Sequence, residues 1–210
     1  MELSEIFYSL QGESSYAGFP CIFVRLAGCN LRCTYCDTKY AYEPEFTLSV
    51  EGIIKEVEKY HSVKLVEITG GEPLLQKESV ELMKLLLQKK YEVLLETNNS
   101  ISLKDVPDQV IKIVDFKTPS SGVCNSILWD NIKYFNDRDE LKFVIANRQD
   151  FDWALGIIQK YDLLKYQILF SPVHEKLDKR ILAEWILETG LPIRLNIQLH
   201  KVIWGDIRGA

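Results

Sequence analysis

Three cysteines, Cys29, Cys33 and Cys36, stand at the spacing C-x3-C-x2-C within the segment GCNLRCTYCDT, and only Cys21 and Cys124 lie elsewhere. Four thiolates would close a tetrahedral zinc or saturate an iron-sulfur cluster. Three leave one iron of a 4Fe-4S cubane without a protein ligand, open to an outside molecule. A Cys3His zinc site is the plain alternative. Its histidine would have to be His61, His174 or His200, all remote in sequence, and no second cysteine pair completes the usual two-pair pattern. A disulfide framework fits worse. The five cysteines are an odd number, and the start MELSEIFYSLQGE has neither a basic nor an apolar leader region, so a reducing cytoplasm is expected. Cys21 and Cys124 are expected to pack as small apolar groups.

A second group of unusual residues is the turn Thr69-Gly70-Gly71-Glu72-Pro73. Two adjacent glycines let a backbone approach a ligand closely, and Glu72 adds an acceptor for an ammonium or hydroxyl group. An iron with an open position takes a small chelator carrying an amine and a carboxylate, and this turn is placed to hold the amine.

The elements that must position these groups alternate between two periods. Strand-like apolar runs occur at 21–28, 65–69, 91–97, 113–118, 140–146 and 166–173. Helical patterns fill the gaps. Ser49 caps one that places Val50, Ile53, Ile54 and Val57 on a face, and 76–90 does the same with Val80, Met83 and Leu87. Residues 148–162 group Phe151, Ala154, Leu155 and Ile158, and 175–190 group Ile181, Leu182, Trp185 and Ile186. Such alternation predicts an α/β fold with parallel strands, a doubly wound sheet or a full or partial barrel of about six strands. The carboxyl ends of parallel strands share one rim. The cysteine loop, the Gly-Gly-Glu-Pro turn, Glu96-Thr97-Asn98-Asn99, Lys117 to Gly122 and Ser171 to His174 all fall there.

With 210 residues, 47% hydrophobic, the chain suits one ordinary globular domain, and nothing in it marks a linker. The 25 basic and 30 acidic residues give a net charge of -5, which argues against broad binding of nucleic acid or an anionic membrane. No apolar run approaches the ~20 residues that span a bilayer.

The cysteine loop with Tyr35 before its last cysteine, followed by the Gly-Gly-Glu-Pro turn, resembles the radical S-adenosylmethionine (radical SAM) superfamily. Within it the chain is similar to the 7-carboxy-7-deazaguanine synthase family, through EIFYSLQGE at 5–13, FVRLAGCNLRCTYCDT at 23–38, TGGEP at 69–73, ETN at 96–98, DFKTPSSG at 115–122, DELKFVI at 139–145, SPV at 171–173 and RLNIQLHKVIWG at 194–205. The resemblance implies a partial β/α barrel and a radical ring contraction of 6-carboxy-5,6,7,8-tetrahydropterin to 7-carboxy-7-deazaguanine with loss of ammonia, in queuosine biosynthesis. It implies a 4Fe-4S cluster on the three cysteines that reduces S-adenosylmethionine, giving a 5'-deoxyadenosyl radical that takes hydrogen from substrate C6 and later receives it back. A magnesium ion with Thr38 as protein ligand, a flavodoxin or ferredoxin as reductant, and a homodimer come from the same source. So do S-adenosylmethionine contacts at Tyr35, Cys36, Asp37, Gly71, Ser120, Ser121, Gly122, Ser171, Pro172, Val173 and His174, and substrate contacts at Leu10, Gln11, Gly12, Arg25, Thr69, His200 and Ala210.

A carboxylated pterin offers an edge of donors and an anion, so its pocket wants an acceptor and a cation. Glu13 and Gln11 suit the edge, and Arg25 suits the carboxylate. Ser14 stands where the family commonly has glycine, so the aim of Glu13 depends on the loop's shape. From Pro192 to His200, apolar and polar residues alternate, which predicts a strand. Two rivals share parts of this pattern: an activating enzyme for glycyl-radical proteins, and a zinc-organised binding module without catalysis.

Overall fold

The computed structural model describes residues 1–209, so Ala210 lies outside the described residues. Nine strands, Glu2–Leu10 (β1), Pro20–Leu26 (β2), Phe46–Thr47 (β3), Leu65–Gly70 (β4), Glu92–Thr97 (β5), Ile111–Phe116 (β6), Glu140–Ile145 (β7), Gln167–Pro172 (β8) and Ile193–Leu195 (β9), form one sheet. Its order is β3-β1-β2-β4-β5-β6-β7-β8-β9. From β2 through β9 every pairing is parallel, whereas β1 joins β2, and β3 joins β1, in the antiparallel sense. The two ends do not pair, so the barrel is open, as expected.

Five α-helices occur among the described residues: Val50–Glu58 (α1), Glu78–Gln88 (α2), Arg148–Lys160 (α3), Lys179–Thr189 (α4) and Leu199–Trp204 (α5). Ser49 caps α1 by accepting from the Gly52 amide at 3.1 Å, and the four predicted apolar residues of α1 are buried. On α2 the buried face is Ser79, Leu82, Met83 and Leu86, so Val80 and Leu87 flank it rather than form it. On α3 Phe151, Ala154 and Ile158 are buried and Leu155 is half-buried. Ile181 of α4 faces outward, while Leu182 and Ile186 point to the sheet.

Alternation along the strands separates two environments. Ile22, Val24 and Leu26 of β2, Val66 and Ile68 of β4, Val93 and Leu95 of β5, and Val114 and Phe116 of β6 share one large core with the helices. The opposite face begins with a small apolar plug of Cys21, Phe23, Leu65, Leu94, Ile111 and Ile113. Further along each strand the same face turns polar, through Arg25, Glu67, Thr69, Glu96, Asp115, Lys142 and Ser171. Parallel strands covered on both faces read as nearly continuous apolar runs, so charges at alternate positions near their carboxyl ends mark the side chains that line a cavity. Cys21 belongs to the plug and its thiol pKa is pushed up by burial, whereas Cys124 is half-buried in a short 3-10 turn at Cys124–Ser126.

The tail departs from expectation. Only Ile193–Leu195 pairs with β8; thereafter the Asn196 side chain turns to Ser171 and Glu13, and the chain enters α5. His200 is therefore a helical residue, and the predicted strand over 192–200 is three residues long.

Candidate active site

The cysteine loop leaves β2 and is clamped from two directions. On one side the Gly71 amide donates to the Leu26 carbonyl at 3.1 Å and the Glu72 amide to the Gly28 carbonyl at 2.8 Å. A Cβ on Gly70 would stand 2.1 Å from the Leu26 oxygen, and one on Gly71 2.1 Å from the Gly28 oxygen. The paired glycines thus let the two loops touch each other. On the other side Thr34 donates through its amide to the Ser121 carbonyl at 3.0 Å and through its hydroxyl to the Ser120 carbonyl at 2.7 Å. Ser120 and Ser121 accordingly brace the cysteine loop through their carbonyls, and Gly122 follows them at a φ of 75°.

Glu72 lies at the same rim, at the turn after β4. It is fully buried, and its carboxylate accepts from Thr97 Oγ1 at 2.9 and 3.1 Å, from the Asn98 amide at 2.7 Å and from the Leu74 amide at 3.1 Å. Burial raises its pKa, and those hydrogen bonds work against the rise. The side chain ties the β4 turn to the end of β5.

One cavity of about 710 Å³ opens at the carboxyl ends of the strands and is lined by Cys29, Cys33, Tyr35, Cys36, Asp37, Thr38, Gly71 and the Ser171 to His174 loop, together with Leu10, Gln11, Gly12, Glu13, Arg25, Thr69 and His200. Its inner wall carries charges that the sequence reading left unassigned. Lys142 bonds to Glu96 and lies 3.1 Å from Glu13 and 3.9 Å from Asp115. Burial opposes the lysine's charge, but the three carboxylates raise its pKa well above the ordinary value. Glu96 stays ionised against its own burial because Lys142 and a 3.0 Å hydrogen bond from Thr69 hold the charged form. Lys117 bonds to Asp115 at 2.7 Å. Glu67 behaves oppositely: burial, then Glu96 and Glu13, push its pKa well up, and Gln11 donates to it. These residues had a signal in the sequence, a charge at every second position within apolar runs.

The segment from Leu10 to Ser14 closes over this wall. Glu13 accepts from Lys142, from Asn196 at 3.3 Å and from Gln198 at 3.0 Å. Ser14 takes φ of 64°, a left-handed conformation that glycine adopts at little cost, and its amide donates to Asn196 at 2.8 Å. The serine therefore fits a loop shape that glycine would adopt readily. Gly12 has no room for a side chain, since a Cβ would stand 2.0 Å from His200 Nδ1, and its carbonyl accepts from the Leu199 amide at 2.8 Å. Burial lowers the His200 pKa, with Glu13 opposing, so the imidazole is neutral at neutral pH. Arg25 donates through Nε to Glu5 at 2.7 Å, and its terminal nitrogens make no hydrogen bond among the described residues. Asp37 is held by Gln198 and Lys201, each at 3.0 Å, and by Thr38 Oγ1 at 3.0 Å. Burial opposes its charge, but the Gln198 hydrogen bond and the Lys201 ammonium hold its carboxyl below the usual range.

Comparison with known proteins places this arrangement. Residues 23–161 match the profile described as the Radical SAM superfamily. A 7-carboxy-7-deazaguanine synthase of Koribacter versatilis is 43% identical, with 97% of each chain covered, and one of Chlorobaculum tepidum is 44% identical over 100% of this chain and 97% of its own. The chain belongs to the 7-carboxy-7-deazaguanine synthase family of radical SAM proteins. The crystal structure of QueE from Escherichia coli superposes with a TM-score of 0.78 at 23% identity, covering 95% of this chain and 94% of that one. Streptococcus suis SuiB gives 0.61 at 13% identity, over 83% of this chain and 48% of its own. The superfamily profile leaves out the Gln11 to Glu13 segment and the tail, which the full-length relatives cover.

Membership in the radical SAM superfamily brings a 4Fe-4S cluster and S-adenosylmethionine, and the residues present fit both. Cys29, Cys33 and Cys36 are free thiols on one cavity wall. Asp115 Oδ1 is buried with no partner among the described residues, leaving an acceptor on the cavity wall for a ligand's hydroxyl or amine. No helix of the described residues is long and apolar enough to cross a membrane.

Proposed function

We propose that this chain converts 6-carboxy-5,6,7,8-tetrahydropterin to 7-carboxy-7-deazaguanine and ammonia. The observation that supports this most directly is the cavity that joins the cysteine loop to Gln11, Glu13, Arg25, Thr69 and His200. The bound cluster and S-adenosylmethionine supply a carbon radical able to take hydrogen from the substrate. The chain's own residues bind and orient. Glu13, paired with Lys142 at 3.1 Å, accepts from the pterin's amino edge, and Gln11 Oε1, which accepts from the Glu13 amide at 2.8 Å, fixes that loop. The free end of the Arg25 guanidinium takes the substrate carboxylate as a fork. Neutral His200 over Gly12 closes the pocket beside Glu13 without adding a charge.

Thr38, on the cavity wall beside Asp37, is our magnesium ligand, since a hard cation takes few protein oxygens and completes its shell with water and substrate carboxylate. Tyr35, Cys36, Asp37, Gly71 and the Ser171 to His174 loop remain the S-adenosylmethionine contacts we favour. A reducing cytoplasm, a flavodoxin or ferredoxin as electron donor, and a homodimer complete the reading. Replacing Thr38 with Ala should flatten the dependence of rate on magnesium concentration; an unaltered magnesium response would remove it from the metal site.

The deciding experiment supplies the anaerobically reconstituted, reduced protein with S-adenosylmethionine, magnesium and 6-carboxytetrahydropterin, and follows product by mass. Deazaguanine that disappears when S-adenosylmethionine is withheld is the expected result. Cleavage of S-adenosylmethionine with the pterin left intact would refute this substrate and favour the glycyl-radical alternative.

A further inference from the structure

Asn98 stands at the end of β5, is buried, and belongs to none of the binding roles above. Its Nδ2 approaches Cys29 Sγ at 3.8 Å, and the Leu31 amide reaches the same sulfur at 3.4 Å. The asparagine amide is held by a closed ring of hydrogen bonds. Ser100 donates to Asn98 Oδ1 through its hydroxyl at 2.6 Å and its amide at 3.0 Å. Asn30 Nδ2 donates to that hydroxyl at 2.8 Å, and Asn98 Nδ2 donates to Asn30 Oδ1 at 3.2 Å. With Oδ1 occupied twice and one Nδ2 hydrogen committed to Asn30, the remaining hydrogen is left for the sulfur. The backbone is equally fixed, because the Asn98 amide donates to the buried carboxylate of Glu72.

We infer that Asn98 is a positioning residue for the cluster, donating a hydrogen bond to the Cys29 thiolate and raising the cluster's reduction potential. Donors to ligating sulfur stabilise the more negative, reduced form, and hydrogen bonds to the sulfurs are among the terms that set such potentials. Glu72 and Ser100 act through it, Glu72 by fixing its backbone and Ser100 by fixing its side chain. That also gives the buried carboxylate of the Gly-Gly-Glu-Pro turn a task in this chain. The inference rests on the cluster assignment, so the unaltered protein is first shown to bind about four irons and four sulfides.

The test is a redox titration of the reconstituted cluster, followed by electron paramagnetic resonance, in Asn98→Leu, Asn98→Asp and Ser100→Ala. Both Asn98 variants should keep their iron content and move the midpoint to more negative potential, with Asp further than Leu because it sets a charge beside the thiolate. Ser100→Ala, which frees the amide to rotate, should move it the same way by less. Midpoints equal to that of the unaltered protein in both Asn98 variants would overturn the inference. Should those variants fail to load iron, Ser100→Ala decides alone: a lowered midpoint supports the hydrogen bond, and an unchanged one rejects it. Failure of the unaltered protein to bind iron would sink the cluster assignment and this inference with it.

Discussion

Arg25 is committed on one side and available on the other. Glu5 holds its Nε, and Phe7 and Tyr40 flank the guanidinium at 5.9 Å from each ring centroid. Replacing it with Ala should raise the KM for a carboxylated substrate by roughly tenfold to a hundredfold, the worth of a charge-assisted hydrogen bond at about 1.5–3 kcal/mol, while iron content stays unchanged. Glu5 would not be orphaned, since Tyr40 and Arg208 also contact it at 3.0 and 3.1 Å. Equal losses of activity and iron content would assign Arg25 to packing instead. Glu67 yields a pH prediction. Its native pKa lies well above the ordinary 4.5, so the folded state keeps a proton that the unfolded state gives up. The stability this contributes is complete below pH 4.5 and drains away as pH rises through 4.5 towards the native value. Glu67→Gln, which can still accept from Gln11, should lose less stability than the parent chain over that window in urea titrations; parallel curves would contradict a protonated Glu67. At this scale the cysteines, Arg25 and Glu13 were legible because their types are chemically rare in context. The hydrogen bonds that Glu72, Ser120 and Ser121 make to neighbouring loops were not legible, because sequence shows that a polar group sits at a rim but not which neighbour it meets.

At the scale of elements, the closest constraint is the contact between the β4 turn and the cysteine loop. Gly71→Ala would drive a methyl into the Gly28 carbonyl, a backbone atom that cannot rotate aside. The expected outcome is a chain that keeps its helical circular dichroism but takes up far less iron and sulfide on reconstitution. Normal cluster content in that variant would show that the two loops can separate without consequence. The six strands read from apolar runs are all present, because buried parallel strands announce themselves by composition. β1 and β3 gave no such signal, since β1 is largely half-exposed and β3 is two residues long. The tail misled because alternation over 193–199 suits a strand, while the pairing edge of β8 accommodates only three residues before Asn196 is drawn to Ser171 and Glu13. The offset on α2 is a rotation of the buried face that 3.6-residue periodicity alone does not fix.

For the molecule as a whole, a buried ion pair lies away from the cavity, Lys112 with Asp139 at 2.9 Å, where Asp139 also accepts from the Lys112 and Asn136 amides. Asp139→Ala strands a buried ammonium and should cost about 3–5 kcal/mol in chemical denaturation, a large part of the ~5–15 kcal/mol that holds a domain folded. A loss below about 1 kcal/mol, within the range of an exposed pair, would mean that water reaches Lys112. The open barrel has its own consequence. Its two halves are joined near the cavity by the tail: Gln198 reaches Glu13 and Asp37, Leu199 reaches Gly12, and Arg208 reaches Glu5 and Glu45. The cysteine loop, by contrast, is held by the β4 turn and by Ser120 and Ser121, and Cys29 Sγ is approached by Leu31 and Asn98. During synthesis the cysteine loop and its two clamps can therefore assemble before residues 198–208 are made, whereas the Glu13 side of the cavity cannot be latched until they are. Order of synthesis thus separates the two walls of one cavity, the cysteine wall being set by contacts made early and the Glu13 wall by contacts that wait for the tail.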